Sequence, residues 1–267
     1  MLLFLRMWYN NIRRDIHSRE KSPYYSSSLL SILDKDLNSL EFFVLKNYWG
    51  IFPEEEKMVT DYDGNIYSTV QIGNQVWTVE NFRGTHYNDG MEIPEVIDPN
   101  EWCDLTSGAR CYYDNDSEQY AEKYGALYNW FAVYTGKLAP EGWHVPTVAE
   151  WMELKKYLIA NGYHYDGSTR GNEIGKSLAA KTDWRPSTYE GDVGNDMPSN
   201  NRTGFTAFPG GCRRNDGMFH WKTLKGVFHS SGTRNGGETP SFVVDGLCLR
   251  SLELLWEHGV SVRFIKD

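Results

Sequence analysis

The chain has 267 residues, of which 15% are aromatic and 25 are glycine, and its formal net charge is -9. This length supports a sizeable core, and the composition is typical of a compact, loop-rich α+β protein. The negative charge argues against a nucleic-acid-binding protein, for which a basic patch is the expected footprint.

Residues 1–56 differ in character from the rest. The apolar run Met1–Leu5 ends at Arg6, which is too short for an export signal, and no stretch reaches the ~18 apolar residues of a membrane span. A helix predicted within residues 28–46 places five apolar side chains on one stripe: Leu30, Leu33, Leu37, Leu40 and Val44. This helix either docks on a partner or a second copy, or packs on its own domain. Residues 53–56 form the predicted linker, and residues 57–267 the main domain.

Short strands follow from Val59. Two alternating apolar runs, 66–72 and 76–79, flank Gly73-Asn74, which predicts a type II′ hairpin. The acids in 61–65 alternate like calcium ligands, but an EF-hand loop requires Gly at its sixth position and Glu at its twelfth. The sequence therefore predicts a turn here, and no metal.

An aromatic stripe follows the loop-rich segment 83–116. The acids Asp114, Asp116 and Glu118 favour the start of a helix through its dipole. We predict one helix that ends at Gly136 and packs into the core through Tyr120, Tyr124, Leu127, Phe131 and Tyr134.

A corner is predicted where Trp143 to Val145 meets the next helix. Pro146 favours an extended Val145, while Thr147 and Glu150 form a capping box. The apolar residues of the helix recur at Trp151, Leu154 and Leu158, and Asn161-Gly162 ends it.

The segment from 163 to 203 is the most irregular, with one short amphipathic piece around Ile174 to Ala179. A polar loop of this length is usually functional or disordered. Four strand-like runs follow, of which the last alternates cleanly and predicts a half-buried strand; the runs are 204–211, 218–224, 242–249 and 260–265.

Five sequence blocks resemble those of the Fibrobacter succinogenes major paralogous domain family, in the family's order over residues 58–267. The blocks are Asp63–Tyr67 with Ile72–Trp77 and Glu80-Asn81, Gly125–Trp130, Leu138–Thr147, Gly204–Gly211 and Gly259–Arg263. We interpret their most distinctive residues as structural: Trp77, Trp130, Trp143, His144, Pro146, Thr147, Glu150 and Trp151.

The resemblance implies a C-type-lectin-like fold, distantly related to the formylglycine-generating sulfatase-modifying domain. In such folds the first and last strands pair, and long loops on one side carry binding. The family also implies a bacterial surface or secreted protein, although this sequence shows no signal peptide and a cytoplasmic location stays open. It departs from the family at Val227–Gly232 and in the unusually apolar loop 246–256.

The residue pattern does not predict an enzyme or a cofactor. The sulfatase-modifying relatives need a close pair of reactive cysteines, whereas Cys212 and Cys248 sit in no matching motif. With Cys103 and Cys111 they form no Cys-x-x-Cys pair, so free thiols are favoured over disulfides. The seven histidines lack ligand spacing, and His229 before Ser230 lies in no nucleophile elbow.

A binding or adhesion module therefore remains as the main hypothesis. Aromatic side chains on loops stack on sugar faces or anchor a protein partner, and the candidates are Trp184, Trp221, Phe228 and Trp256. The alternative for each is core packing, with Trp184 and Trp256 expected to be the most exposed. The second hypothesis is an interaction protein that docks through residues 28–46.

Overall fold

The computed structural model describes residues 58–232 and 238–267, which belong to one compact unit spanning Glu56–Asp267. The helix predicted within 28–46 and the boundary predicted at 56–57 lie outside the described residues and stay predictions. In the described part of the chain, no helix is long and apolar enough to cross a membrane.

The fold is α+β, with short antiparallel strands and few helices, as predicted. The strands are β1 Met58–Thr60, β2 Ile66–Ile72, β3 Gln75–Thr78, β4 Arg110–Cys111, β5 Leu127–Tyr128, β6 Trp143–His144, β7 Cys212–Arg213, β8 Phe219–His220, β9 Gly226–His229, β10 Glu238–Asp245, β11 Cys248–Leu255 and β12 Ile265–Lys266. The helices are α1 Pro99–Cys103, α2 Ser117–Tyr124, α3 Trp130–Tyr134, α4 Val148–Ala160 and α5 Gly175–Leu178.

Two main sheets organise these strands. One has the order β1-β2-β3-β12-β6 and the other the order β11-β10-β9, while β4-β5 and β7-β8 form separate pairs. The pairing of Ile265 in β12 with Trp77 in β3 confirms that early and late strands meet. The two ends of the domain are therefore tied together at one sheet.

The first hairpin forms as predicted. Ile72 pairs with Gln75 across Gly73-Asn74, and Gly73 has φ +63°, as the first position of a type II′ turn requires. The preceding turn is held by Asp61, whose carboxylate accepts hydrogen bonds from the Asn65 backbone and the Tyr67 hydroxyl. The acidic residues here thus act in the turn.

The terminal segment is buried more deeply than its alternation predicts. Only Ile265 and Lys266 lie in a strand, and residues 260–265 are all buried, so the predicted half-buried strand is wrong. The reason is that the segment runs between the sheets and makes backbone hydrogen bonds at four places: at Tyr128, at Val227 and His229 in β9, at Phe82 and at Thr78. It joins separate parts of the core.

The corner predicted around Pro146 is confirmed. Helix α4 begins after Thr147 with a complete capping box, and its C-cap is Asn161. Trp151 is fully buried and stacks on Phe242, with ring centroids 5.1 Å apart and planes at 12°. The corner therefore fixes α4 against the β11-β10-β9 sheet.

His144 at this corner is hydrogen-bonded at both ring nitrogens, as predicted for a structural histidine. Its Nδ1 lies 2.6 Å from Asp267 Oδ1 and its Nε2 lies 2.8 Å from Glu150 Oε1. Burial alone lowers the pKa of His144, but the hydrogen bonds to Asp267 and Glu150 outweigh it, so the pKa is raised. The imidazolium form stabilises this corner.

Loss of the cap should weaken the corner. We expect Thr147→Ala to lower the free energy of unfolding by about 1 kcal/mol, because the Glu150 amide loses its acceptor. Urea titration followed by circular dichroism measures this change. Thr147→Ser keeps the hydroxyl and should stay near wild type; equal losses in both variants would contradict a capping role.

The single helix predicted over the aromatic stripe is wrong. The chain forms α2, then strand β5, then α3. Gly125 ends α2 at φ +73°, where an added Cβ would lie 2.6 Å from the Phe82 carbonyl oxygen. Asn129 then caps α3 by accepting from the Ala132 amide. Close approach of neighbouring backbone thus breaks the helix.

Three predicted strands also change. Residues 204–211 run as an irregular loop with two isolated bridges, from Ala207 to Ala179 and from Gly211 to Gly226. The run 218–224 shortens to β8 because Trp221 and Thr223 adopt positive φ. The run 242–249 is a hairpin that turns at Gly246, so the apolar segment interpreted as a loop is mainly strand β11. Its residues Leu249 and Leu254 are buried in the core and Leu252 packs against it, while Leu255 is exposed.

Candidate ligand-binding site

Two of the four predicted binding aromatics are core residues. Phe228 is fully buried between Trp151 and Phe205. Trp184 is only 3% exposed, so its expected exposure is wrong. Its sequence neighbours Asp183 and Arg185 reach the surface, while its ring turns into the core beside α5. The polar residues next to Trp184 in the sequence therefore did not indicate that its side chain is buried.

The other two are half-exposed and pack against different apolar clusters. Trp256 stacks on Trp130, with ring centroids 5.0 Å apart and planes at 23°. Trp221 packs against the buried cluster that contains Val227 and Val243, and the Lys225 ammonium lies 3.9 Å from its ring centroid. The structure therefore does not bring the four predicted aromatics into one site.

A different surface brings five aromatic rings into one continuous row, which we call the aromatic ridge. Neighbouring ring centroids are separated by 5.2, 5.5, 5.8 and 5.7 Å along the order Phe219, Tyr113, Tyr120, Tyr124 and Phe208. Tyr124 is buried and the other four rings are half-exposed. Such tilted and edge-to-face pairs are favourable ring geometries.

Several elements position the ridge. Tyr120 and Tyr124 are four residues apart on α2, so they lie on one helix face. Tyr113 comes from the short 3-10 turn Tyr113–Asn115, and Phe219 from β8. Phe208 lies in the irregular loop before β7. Four of the five rings thus come from regular elements, and Phe208 and the lysine Lys222 come from loops.

Two lysines lie over the ridge. The Lys222 Nζ lies 3.7 Å from the Tyr124 ring centroid and 5.3 Å from that of Tyr120. The Lys123 Nζ lies 5.3 Å from the Phe208 centroid. A cation within about 6 Å of an aromatic face is attracted by the ring quadrupole. The ridge therefore combines apolar faces with hydrogen-bond donors.

Asp183 fixes one of these lysines. Its Oδ2 lies 2.5 Å from Lys123 Nζ, and its carboxylate also accepts from the Thr182 and Tyr124 hydroxyls. Burial alone raises the pKa of Asp183, but the hydrogen bonds from Lys123 and Thr182 outweigh it, so the pKa is lowered. Asp183 is therefore an ionised structural anchor, and its charge is matched by Lys123.

The backbone next to the ridge is held in unusual conformations. Asp183, Trp221 and Thr223 have φ values of +73°, +65° and +67°, a region that costs non-glycine residues about 1–3 kcal/mol each. Backbone hydrogen bonds hold the loop, since the Thr223 amide donates to Pro209 and its carbonyl accepts from Arg185. Backbone strain of this kind clusters at functional surfaces. The strained residues therefore support the ridge as a candidate binding site.

The sequence carried only a weak signal for this surface. Tyr120 and Tyr124 fit the aromatic stripe that was interpreted as core, and Lys123 and Lys222 stood out in no motif. The available cue was Lys123, which follows Tyr120 by three residues and therefore lies near the same helix face. Phe219 and Lys222 join the ridge only through tertiary contacts, which a local pattern does not show.

The two residues considered for catalysis, His229 and Ser230, each contact a backbone carbonyl. His229 and Ser230 are both buried; the imidazole Nε2 contacts the Tyr128 carbonyl and the Ser230 hydroxyl donates to the Pro240 carbonyl. The cysteines are a separate case. All four are free, as favoured by the sequence.

Burial raises the pKa of Cys212 to about 12, so its thiol is protonated near neutral pH. Among the described residues, no cluster of three or more His, Cys, Asp or Glu side chains is arranged for a metal ion.

The fold and surface together define an α+β domain that presents an aromatic ridge. The model of the Fibrobacter succinogenes major domain matches residues 70–266, and the chain belongs to this family. Comparison with curated proteins and with solved structures finds no match. The family assignment confirms the resemblance seen in the five sequence blocks, and it assigns no ligand.

Proposed function

We propose that this chain is a non-enzymatic binding module that holds a carbohydrate on the aromatic ridge, as part of a bacterial surface or secreted protein. The observation that carries the proposal is the row of five rings with Lys123 and Lys222 over it. Sugar rings present apolar C–H faces that stack on aromatic side chains, and their hydroxyls accept hydrogen bonds from ammonium groups.

The proposed fold is of the C-type-lectin kind. Two features support it: the pairing of β3 with β12 joins the ends of the domain, and long irregular segments lie between them in the chain. Asp183 and Phe208 come from such segments, and Lys222 comes from the short connection between β8 and β9. A loop-borne ligand surface on a rigid frame is a common arrangement in binding proteins.

The chemistry of the buried nucleophiles supports the non-enzymatic part of the proposal. The Ser230 hydroxyl and the His229 imidazole each contact a backbone carbonyl. In a Ser-His pair the two groups would instead contact each other. The Cys212 thiol is fully buried. None of the three presents a reactive atom at the ridge.

Removal of one half-exposed ring should test the site. We expect Tyr120→Ala to weaken binding of the saccharides that the wild type selects on a glycan array by about tenfold or more, because a central stacking face is lost. Isothermal titration calorimetry measures the affinity, and a melting curve checks that the variant stays folded.

Tyr134→Ala provides the matched control. Tyr134 is also a helical tyrosine, 72% exposed, whose ring centroid lies 4.9 Å from that of Trp130 in the other aromatic cluster. Its removal should leave the affinity unchanged. Loss of binding in Tyr134→Ala and not in Tyr120→Ala would move the site to the Trp256 cluster and overturn the ridge assignment.

A further inference from the structure

Lys222 differs from the other lysines near the ridge in its partners. Lys123 is paired with Asp183 at 2.5 Å, and Lys225 with Asp245 at 3.8 Å. In residues 58–232 and 238–267, no carboxylate lies within ion-pair distance of Lys222. Its ammonium instead lies over the rings of Tyr120 and Tyr124. Lys222 thus holds a charge that the described protein does not neutralise directly.

The surroundings of Lys222 destabilise the charged form of its side chain. Lys222 is half-buried, and burial lowers its pKa; Lys123 acts in the same direction, while Asp183 and Asp114 partly offset the shift. A partly desolvated charge is stabilised most by an opposite charge that also hydrogen-bonds to it. Asp183 does not fill this role, because its carboxylate is engaged by Lys123, Thr182 and Tyr124. The exposed carboxylate of Asp114 acts on Lys222 only from beyond ion-pair distance.

We propose that Lys222 selects saccharides that carry a carboxylate, such as uronic or sialic acid units. The ligand carboxylate accepts from the Lys222 ammonium while the sugar ring stacks on the exposed part of Tyr120. This inference rests on the proposed carbohydrate site and adds the ligand class. The two rings that hold the Lys222 ammonium fix its position, so a carboxylate gains a preorganised partner.

The test compares matched ligands and matched variants. The probes are oligosaccharides of galacturonate, glucuronate and N-acetylneuraminate, each beside its methyl ester, which keeps the ring and removes the charge. We expect at least one acid to bind about tenfold or more tightly than its ester, a size typical of a charge-assisted hydrogen bond. Lys222→Met keeps much of the side-chain length and should abolish that preference, whereas Lys222→Arg should retain most of it.

Lys225→Met is the control, since Lys225 also lies over an aromatic ring but is ion-paired. It should keep the preference for the acid. Equal binding of acid and ester in the wild type, or an unchanged preference in Lys222→Met, would overturn the inference. In that case a persistent loss in Tyr120→Ala would still support the carbohydrate site, so the two proposals fail separately. Absence of binding to any saccharide would overturn both.

Discussion

Arg263→Ala should lower the free energy of unfolding by about 4 kcal/mol, one of the two largest effects that the structure predicts. Arg263 is fully buried and donates to the carbonyls of Thr78, Phe205 and Thr206 and to the Asn81 side chain, at 2.6 to 3.0 Å. Removal of the guanidinium leaves several buried acceptors without donors, each of which costs about 1–3 kcal/mol. Urea unfolding followed by tryptophan fluorescence measures the change.

Two further arginine variants identify the cause. Arg263→Lys keeps a charge but loses the planar fork that reaches four acceptors, so we expect it to lose more than half of the same stability. Arg250→Ala removes a partly exposed arginine paired with Asp245 and should cost at most about 1 kcal/mol. A loss in Arg263→Ala no larger than that of Arg250→Ala would contradict the proposed role of the buried arginine.

The role of Arg263 explains why the last family block matters to the fold. The guanidinium joins the end of β3 through Thr78 to the loop at Phe205, and its own segment bonds to four places in the chain. Sequence alternation in 260–265 predicted a strand and suggested that one face meets water. Burial from all sides follows from contacts far apart in sequence, which alternation does not encode.

Local chemistry was predictable where it determines the structure by itself. The Gly73-Asn74 turn and the Thr147–Glu150 capping box both need only neighbouring residues, and both form. The helix from Tyr120 to Tyr134 fails for the opposite reason, because Gly125 must let the Phe82 backbone approach closely. Helical spacing there was real, but tertiary contacts overrode it.

The candidate site shows the same limit more strongly. The sequence indicated a loop-borne aromatic surface, and Trp221 does lie in the strained loop that carries Lys222. However, Trp184 and Phe228 complete the core, since large aromatic rings are stabilised most by full burial. The ridge combines rings from a 3-10 turn, a helix, a strand and a loop. Only the folded chain places them side by side.

Two buried histidines should make the domain sensitive to acid. His229 Nε2 donates to the Tyr128 carbonyl, while its Nδ1 finds no donor among the described residues. Burial, with a smaller contribution from His258, lowers the pKa of His229 to about 4. Burial also lowers the pKa of His258 to about 4. Both are therefore neutral in the folded protein at pH 7.

The sign of the effect follows from the unfolded state, where each histidine titrates near 6.5. As the pH falls below 6.5, the unfolded chain takes up protons that the folded chain does not accept until about pH 4. Each histidine should then reduce the free energy of unfolding by about 3 kcal/mol, since one pKa unit corresponds to about 1.4 kcal/mol. The loss begins near pH 6.5 and is complete below pH 4.

His229→Gln separates this effect from the titration of carboxylates. Glutamine can still donate to the Tyr128 carbonyl but does not take up a proton, so stability should fall about half as steeply between pH 6.5 and 4. Urea titrations at several pH values measure the slope. His220→Gln removes a half-exposed histidine on β8 and serves as the control. If His220→Gln flattens the slope as much as His229→Gln does, burial of His229 is not the cause of the acid sensitivity.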